Sequence, residues 1–181
     1  MSDKVGAMPS VQHSRSLIAR SREAANRVLA ILLLVIFALL VAVVTVQVLS
    51  RYLTDSPTII TDEIARFLLI WLGLLGAAYA SGAMRHLAID FLPERLPDIA
   101  RRWLKIALQA IILLFAGYVM MFGGGELVRQ TLANGQTTPM LGIAMGWVYI
   151  ALPLSGAFIA FFSLLEIVAL ARAPHPSGDD V

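Results

Sequence analysis

The chain has 181 residues, of which 59% are hydrophobic and 14% are charged. Soluble domains carry about 25% charged residues, so this composition excludes an ordinary soluble protein and indicates one integral membrane domain. The net charge of +2 is small, and the basic residues lie in separate loops, which argues against a nucleic-acid partner. Cysteine is absent, which excludes disulfides and thiol chemistry.

Four apolar stretches are long enough to span a bilayer, because about 20 residues of helix extend roughly 30 Å. We predict spans at about 28–50, 64–84, 106–125 and 146–166, within a membrane domain that covers 28–172. A basic tail, 1–27, precedes this domain and becomes helical near its end, and a disordered tail rich in Pro, Gly and Asp, 173–181, follows it. The predicted fold class is all-α with four transmembrane helices. The first apolar stretch is too long for a signal peptide.

Charges gather where the second span begins. Thr61 is a predicted N-cap, and Asp62 and Glu63 fall in the first turn, where the helix dipole favours negative charge. Arg66 follows them by four and three residues, so the three charged side chains lie on one helix face. Glu126 repeats this spacing with a later arginine. The predicted interface with a partner or lipid, on the outer side, comprises Arg51, Asp62, Glu63, Arg66, Trp71, Glu126 and Arg129. The alternative is a set of ordinary surface charges that anchor the helices.

The second span also contains small residues three and four positions apart, a spacing that lets another helix approach closely. The candidate helix-packing residues are Gly73, Gly76, Ala77 and Ala80. The alternative is that Gly and Ala are simply common in membrane helices.

The connection between the second and third spans is basic. From Pro97 onward its apolar residues repeat at helical spacing, which predicts a short amphipathic helix lying in the membrane interface before the third span. Candidate residues of a cytoplasmic interface are Arg85, His86, Asp90 and Trp103. His86 and Asp90 are too few ligands for a metal site, so a local structural contact is the simpler interpretation.

Two features predict irregular geometry in the third and fourth spans. Gly123, Gly124 and Gly125 favour close packing or a bend, and Pro153 predicts a kink in the fourth helix.

Lysine and arginine number five before the first span, two in the first connection, five in the second, one in the third and one after the fourth span. The positive-inside rule therefore predicts that both termini and the second connection are cytoplasmic.

No ionisable residue falls in the middle of a predicted span, which argues against a self-sufficient pump. The three histidines lie outside the spans, which weakens a haem-bearing membrane anchor. No catalytic motif is present, so the chain is not expected to be an enzyme, and no metal or cofactor is expected. The residues alone indicate an accessory or scaffold subunit.

A series of short motifs runs in order over about 28–166. The motifs are Arg51-Tyr52, Asp62-Glu63-Ile64-Ala65-Arg66, Ile70-Trp71, Leu75-Gly76-Ala77-Ala78, Arg85-His86-Leu87-Ala88-Ile89-Asp90, Leu96-Pro97, Gly125-Glu126-Leu127-Val128, Thr138-Pro139-Met140-Leu141-Gly142-Ile143, Trp147-Val148-Tyr149 and Leu152-Pro153. This ordered series resembles the small membrane subunit, DctQ type, of tripartite ATP-independent periplasmic (TRAP) transporters.

The resemblance implies a complex in the bacterial inner membrane. A periplasmic binding protein captures an organic acid and delivers it to a large permease subunit, which carries the substrate and sodium sites. The small subunit packs on the large one as a scaffold, and the substrate is chosen by other chains. Two alternatives remain: a membrane anchor of a redox complex with haem or quinone, and an independent small exporter.

Overall fold

The computed structural model describes the backbone of residues 9–54, 59–83 and 98–171, and the side chains of 20–53, 59–83 and 100–171. The helices of these ranges are α1 Pro9–Thr54, α2 Ile59–Ala83, α3 Asp98–Leu114, a π-helical stretch Phe115–Gly123, α4 Gly124–Ala133, α5 Gly146–Tyr149 and α6 Ala151–Ala171. Several predicted features lie outside the described residues. They are the candidate site residues Arg85, His86 and Asp90, and the terminal segments 1–8 and 172–181.

Four helical segments are long and apolar enough to cross a membrane, which confirms the predicted fold class. They are Arg20–Leu53, Ile59–Ala83, Ala100–Ala133 and Gly146–Ala171. The start of α1 contacts the end of α2 through Arg22 and Gly82, and the end of α1 contacts the start of α2 through Gln47 and Asp62. The two helices are therefore antiparallel. The bundle has two ends, which we call the terminal end and the loop end. The terminal end holds 20–27, 80–83, 98–105 and 163–171. The loop end holds 45–53, 59–66 and 126–146.

The last helix, α6, lies at the centre of the packing and contacts α1, α2, α3 and the π-helical stretch. Its Phe162 is fully buried with Leu29 and Ile36 of α1 and Leu75 and Ala78 of α2. Packing inside a membrane depends on close approach of helices, because lipid is as apolar as the side chains. The buried residues are accordingly few, and many large apolar side chains of α1 and of the third span are exposed on the outside of the bundle.

Two glycines lie where neighbouring helices approach each other closely. A Cβ on Gly156 of α6 would lie 2.6 Å from Met120 Cβ and 3.1 Å from Ala116 O of the π-helical stretch. A Cβ on Gly124 would lie 3.0 Å from Leu152 Cγ. The close packing predicted for the glycine triplet is thus confirmed at its second member.

Two predicted helix starts are wrong. α1 begins at Pro9 and so includes much of the predicted tail, and α2 begins at Ile59, which places Thr61 inside the first turn instead of at the N-cap. Proline is well suited to a first helical turn. Helix ends are hard to locate from sequence because an added or lost turn changes the free energy little.

The described residues of the predicted interfacial helix are helical and continue directly into the third span. Trp103, at 67% exposure, and the first residues of the third span belong to the single helix α3. The sequence between Trp103 and Ile106 holds no Gly or Pro, so nothing stops helix propagation there. Whether the start of α3 lies in the membrane interface stays a prediction.

The fourth span is interrupted at Ile150, close to Pro153, where the sequence predicts a kink; the kink itself stays a prediction. α5 ends at Tyr149 and α6 begins at Ala151. Proline has no N–H to donate to the carbonyl four residues earlier, that of Tyr149. The helical bonds resume at once, since Leu154 N donates to Ile150 O at 3.1 Å.

Candidate functional site

The loop end is built around the connection between α4 and α5. α4 ends in a Schellman motif: Gly135 adopts φ 61°, its N–H donates to Leu132 O at 3.1 Å, and Gln136 N donates to Thr131 O at 3.2 Å. Glycine is favoured there because a Cβ disfavours positive φ. This turn reverses the chain and starts a short hairpin.

The loop hairpin, residues 137–144, is held by its own backbone. Thr137 and Ala144 form a bridge, Thr138 N donates to Ile143 O at 2.8 Å, and Ile143 N donates to Thr138 Oγ1 at 3.2 Å. Gly142 closes the tip with φ 64°. Thr138 is only 2% exposed, so the hairpin is packed against the bundle and does not project freely.

Glu63 of α2 fixes the tip of this hairpin. Its Oε2 accepts hydrogen bonds from Met140 N at 3.2 Å and from Leu141 N at 3.0 Å. Bonds from backbone N–H groups to a carboxylate are stronger than those between neutral groups. Sequence reasoning found Glu63 but paired it with Arg66, whereas the structure pairs it with the loop hairpin.

Asp62 and Arg66 form the exposed charge pair of the second helix. Arg66 Nη2 lies 3.0 Å from Asp62 Oδ2, with side-chain exposures of 69% and 55%. Gln47 Nε2 of α1 donates to Asp62 Oδ1 at 3.5 Å. Arg51 is exposed near the end of α1. Trp71 lies deeper, against the buried core, and so does not share a surface with these charges.

The second predicted acid–arginine pair is local to α4. Arg129 Nε and Nη2 donate to the two carboxylate oxygens of Glu126 at 2.8 and 2.6 Å, and Gln130 Nε2 donates to Oε1 at 2.9 Å. Among the described residues, no hydrogen bond joins this cluster to Asp62 and Arg66.

A groove runs between α2 and the loop hairpin. Its volume is about 370 Å³, and it is lined by Ile59, Asp62, Glu63, Arg66, Phe67, Ile70, Pro139, Met140, Met145, Val148 and Tyr149. The charged residues form its rim, and the apolar ones continue along α2 toward the centre of the span.

The candidate helix-packing residues face outward in this chain. A Cβ on Gly73 or Gly76 would meet no atom within 4 Å. Ala77 is exposed and Ala80 is half-buried. A second, shallow groove of about 430 Å³ lies beside Gly76 and is lined by Ala30, Leu33, Leu34, Phe37, Leu72, Gly76 and Tyr79.

Sequence reasoning missed a polar joint at the terminal end. Arg22 donates from Nε and Nη2 to Gly82 O at 3.1 and 2.9 Å, and its Nη1 lies 2.7 Å from Glu166 Oε2. The two charged side chains are only 12% and 17% exposed. One arginine thus joins α1, α2 and α6. The one hint in the sequence is Glu166, which directly follows an uncharged span, where a charge needs a partner.

Within the described residues, no group of three or more His, Asp or Glu side chains is arranged to hold a metal ion. The described polar groups of the loop end bind one another and the backbone.

Residues 40–173 match the family model described as Tripartite ATP-independent periplasmic transporters, DctQ component. The match covers well over half of the chain. The chain belongs to the DctQ family. This confirms the resemblance seen in the sequence motifs. The matched region includes the loop end and the groove beside the loop hairpin, but only the α2 side of the groove beside Gly76, and it does not include Arg22.

Relatives of this DctQ chain bear names of TRAP transporter subunits. It is 30% identical over 151 residues to the Sialic acid TRAP transporter small permease protein SiaQ of Vibrio cholerae. This alignment covers 83% of the chain and 86% of that protein. It is 29% identical over 117 residues to the C4-dicarboxylate TRAP transporter small permease protein DctQ of Rhodobacter capsulatus, covering 63% of the chain and 51% of that protein.

A third relative is much longer. The DctQ chain is 28% identical over 130 residues to the Sialic acid TRAP transporter permease protein SiaT of Haemophilus influenzae, covering 72% of the chain but only 20% of that protein. In SiaT, a DctQ-like region is therefore part of a larger permease polypeptide.

Proposed function

We propose that this chain is the small scaffold subunit of a TRAP transporter that takes up organic acids across the bacterial inner membrane. A large permease subunit moves the substrate together with sodium, and a periplasmic binding protein supplies it. The small subunit holds no substrate site and catalyses no reaction.

The alignment with SiaT carries this proposal. A region like this chain makes up 20% of that permease protein. When such a region is joined covalently to a larger permease in one relative, the separate version is expected to bind a separate large permease. The names of two relatives, which specify sialic acid and C4-dicarboxylate, support organic acids as the substrate class.

The distribution of charge agrees with a supporting role. In the described spans, charged side chains lie near the two ends of the bundle, and 28–50, 67–83 and 106–125 hold none. Subunits that move ions or acids place ionisable groups deep in the membrane. The family assignment also favours the transporter interpretation over the redox-anchor alternative.

Reconstitution tests the proposed role. The chain is co-expressed with the large permease of the same cell, purified through a tag on the small subunit, and placed in liposomes with the binding protein. We expect the large permease to co-purify and a sodium gradient to drive organic-acid uptake by the complete system, with no uptake by the chain alone. Uptake by the isolated chain, or failure of the two subunits to co-purify, contradicts the proposal.

The α1–α2 face beside Gly76 is the proposed contact with the large permease, because it is apolar and open, and because Gly76 leaves room for the close approach of another helix. We expect Gly76→Leu to reduce the co-purified large subunit several-fold by filling the shallow groove. Gly117→Leu is a matched control, since a Cβ on Gly117 also meets no atom within 4 Å and this residue lies on the π-helical stretch. Equal co-purification of both variants with the large subunit argues that the α1–α2 face meets lipid.

A further inference from the structure

The groove between α2 and the loop hairpin is amphipathic along its length. On α2, Asp62, Arg66 and Ile70 repeat at intervals of four, so one helix face carries a charged rim followed by an apolar wall. Val148 and Met145 supply the opposite wall. The uncharged part of α2 begins at Phe67, so the rim lies where the apolar part of the span starts.

Only part of the rim charge is available to a ligand. The Oε2 atom of Glu63 already accepts two backbone hydrogen bonds. Asp62 and Arg66 are more than half exposed and lie side by side, at 3.0 Å. The Arg66–Asp62 bond uses Nη2, whereas a guanidinium has five N–H donors. The rim therefore presents the exposed Asp62–Arg66 pair to an incoming molecule, beside the Glu63 carboxylate that the hairpin backbone binds.

The groove has a volume of about 370 Å³ and is partly open to the outside. Apolar side chains line it beneath the charged rim, an arrangement that matches the apolar tail and the polar head of a lipid.

We propose that this groove binds a phospholipid whose head group carries both a phosphate and an ammonium, as in phosphatidylethanolamine. Arg66 donates to the phosphate, Asp62 accepts from the ammonium, and one acyl chain lies along Phe67, Ile70 and Val148. A zwitterionic head group matches the paired charges of the rim, whereas a purely anionic head group brings its charge close to Asp62. This assignment goes beyond the scaffold role and does not depend on it.

The test uses the full-length purified chain in mild detergent, titrated with phosphatidylethanolamine or phosphatidylglycerol of the same acyl chains and observed by native mass spectrometry. We expect one lipid to bind saturably, with phosphatidylethanolamine tighter than phosphatidylglycerol. Arg66→Gln should weaken binding roughly tenfold, because it removes a charge-assisted hydrogen bond to the phosphate.

Arg129→Gln is the matched control. Arg129 also belongs to an exposed acid–arginine pair at the loop end, but it does not line the groove. A second pair of variants tests the acyl site: Ile70→Trp fills the groove, and Leu69→Trp places the same ring on a neighbouring residue that is 60% exposed and does not line the groove. We expect Ile70→Trp to abolish saturable binding and Leu69→Trp to preserve it.

Three results would overturn the proposal. The first is equal lipid binding by Arg66→Gln and Arg129→Gln, which would indicate general lipid contact. The second is equal affinity for phosphatidylethanolamine and phosphatidylglycerol, which would show that Asp62 does not bind the ammonium. The third is saturable binding by Ile70→Trp, which places the lipid elsewhere. Circular dichroism confirms that each variant keeps its helix content before it is compared.

Discussion

Neighbouring acids on α2 have different partners. Glu63 binds the backbone of the loop hairpin, and Asp62 pairs with Arg66 on its own helix. Helical spacing correctly placed these side chains near one another, because i, i+3 and i+4 positions share a face. It did not show that a backbone turn 78 residues later takes one of the carboxylates. Contacts that are remote in sequence leave no mark on local periodicity.

We predict that Glu63→Gln frees the tip of the loop hairpin. Hydrogen bonds to a charged acceptor contribute about 1.5–3 kcal/mol, against about 1 kcal/mol for neutral groups. The difference of about 0.5–2 kcal/mol corresponds to roughly 2- to 30-fold faster amide exchange at Met140 and Leu141, measured by hydrogen–deuterium exchange of the peptide that spans 138–143.

The control for this measurement is Glu126→Gln, an acid at the same end whose hydrogen-bond partners, Arg129 and Gln130, lie on its own helix. Amide exchange at the hairpin tip of the Glu126→Gln variant should match that of the unmodified chain. Unchanged exchange in Glu63→Gln would show that the hairpin is held by its own backbone bonds and by Thr138.

At the scale of helices, the glycines divide into two groups that look alike in the sequence. Gly156, Gly124, Gly146 and Gly82 have neighbours where a Cβ would stand, whereas Gly73, Gly76 and Gly117 have none within 4 Å. The sequence predicted close packing for the second helix at Gly73 and Gly76, but within this chain α2 makes its close approach at Gly82, against Phe162. Spacing shows that a helix is able to pack closely and does not show which glycine meets a neighbour.

We predict opposite effects of alanine at these two kinds of site. Gly156→Ala should destabilise the chain by about 1–3 kcal/mol, because Met120 Cβ and a backbone carbonyl would have to move. Gly76→Ala should be neutral or stabilise the chain by up to about 1 kcal/mol, since alanine has the higher helix propensity. Thermal unfolding of the purified chain in detergent measures both, and equal Tm values for the two variants would contradict the packing of α6 on the π-helical stretch.

For the whole molecule, the length and apolarity of the spans were enough to predict the four-helix architecture, since crossing a bilayer sets a minimum run of uncharged residues. An irregularity near Pro153 was likewise predictable from backbone chemistry. Arg22 was not, because it is one of several charged residues before the first apolar run, and such residues look like ordinary interfacial anchors. Its partners Gly82 and Glu166 become neighbours only after the chain has folded.

The predicted orientation is testable because the chain has no cysteine. A single cysteine at Asn134→Cys, in the exposed turn after α4, should react with a membrane-impermeant maleimide added to intact spheroplasts. One at Ala100→Cys, exposed at the terminal end, should react only after permeabilisation. The reverse pattern would place the loop end in the cytoplasm and contradict the positive-inside prediction.

The joint made by Arg22 has a consequence for biogenesis. Its carboxylate partner, Glu166, lies 144 residues later in the chain. During synthesis, the first three spans must enter the membrane while Arg22 still lacks Glu166, and the ion pair closes only when the last helix has arrived. A nascent chain that stalls before α6 therefore leaves the Arg22 guanidinium without its carboxylate partner, whereas in the finished chain the two charged side chains are paired and only 12% and 17% exposed.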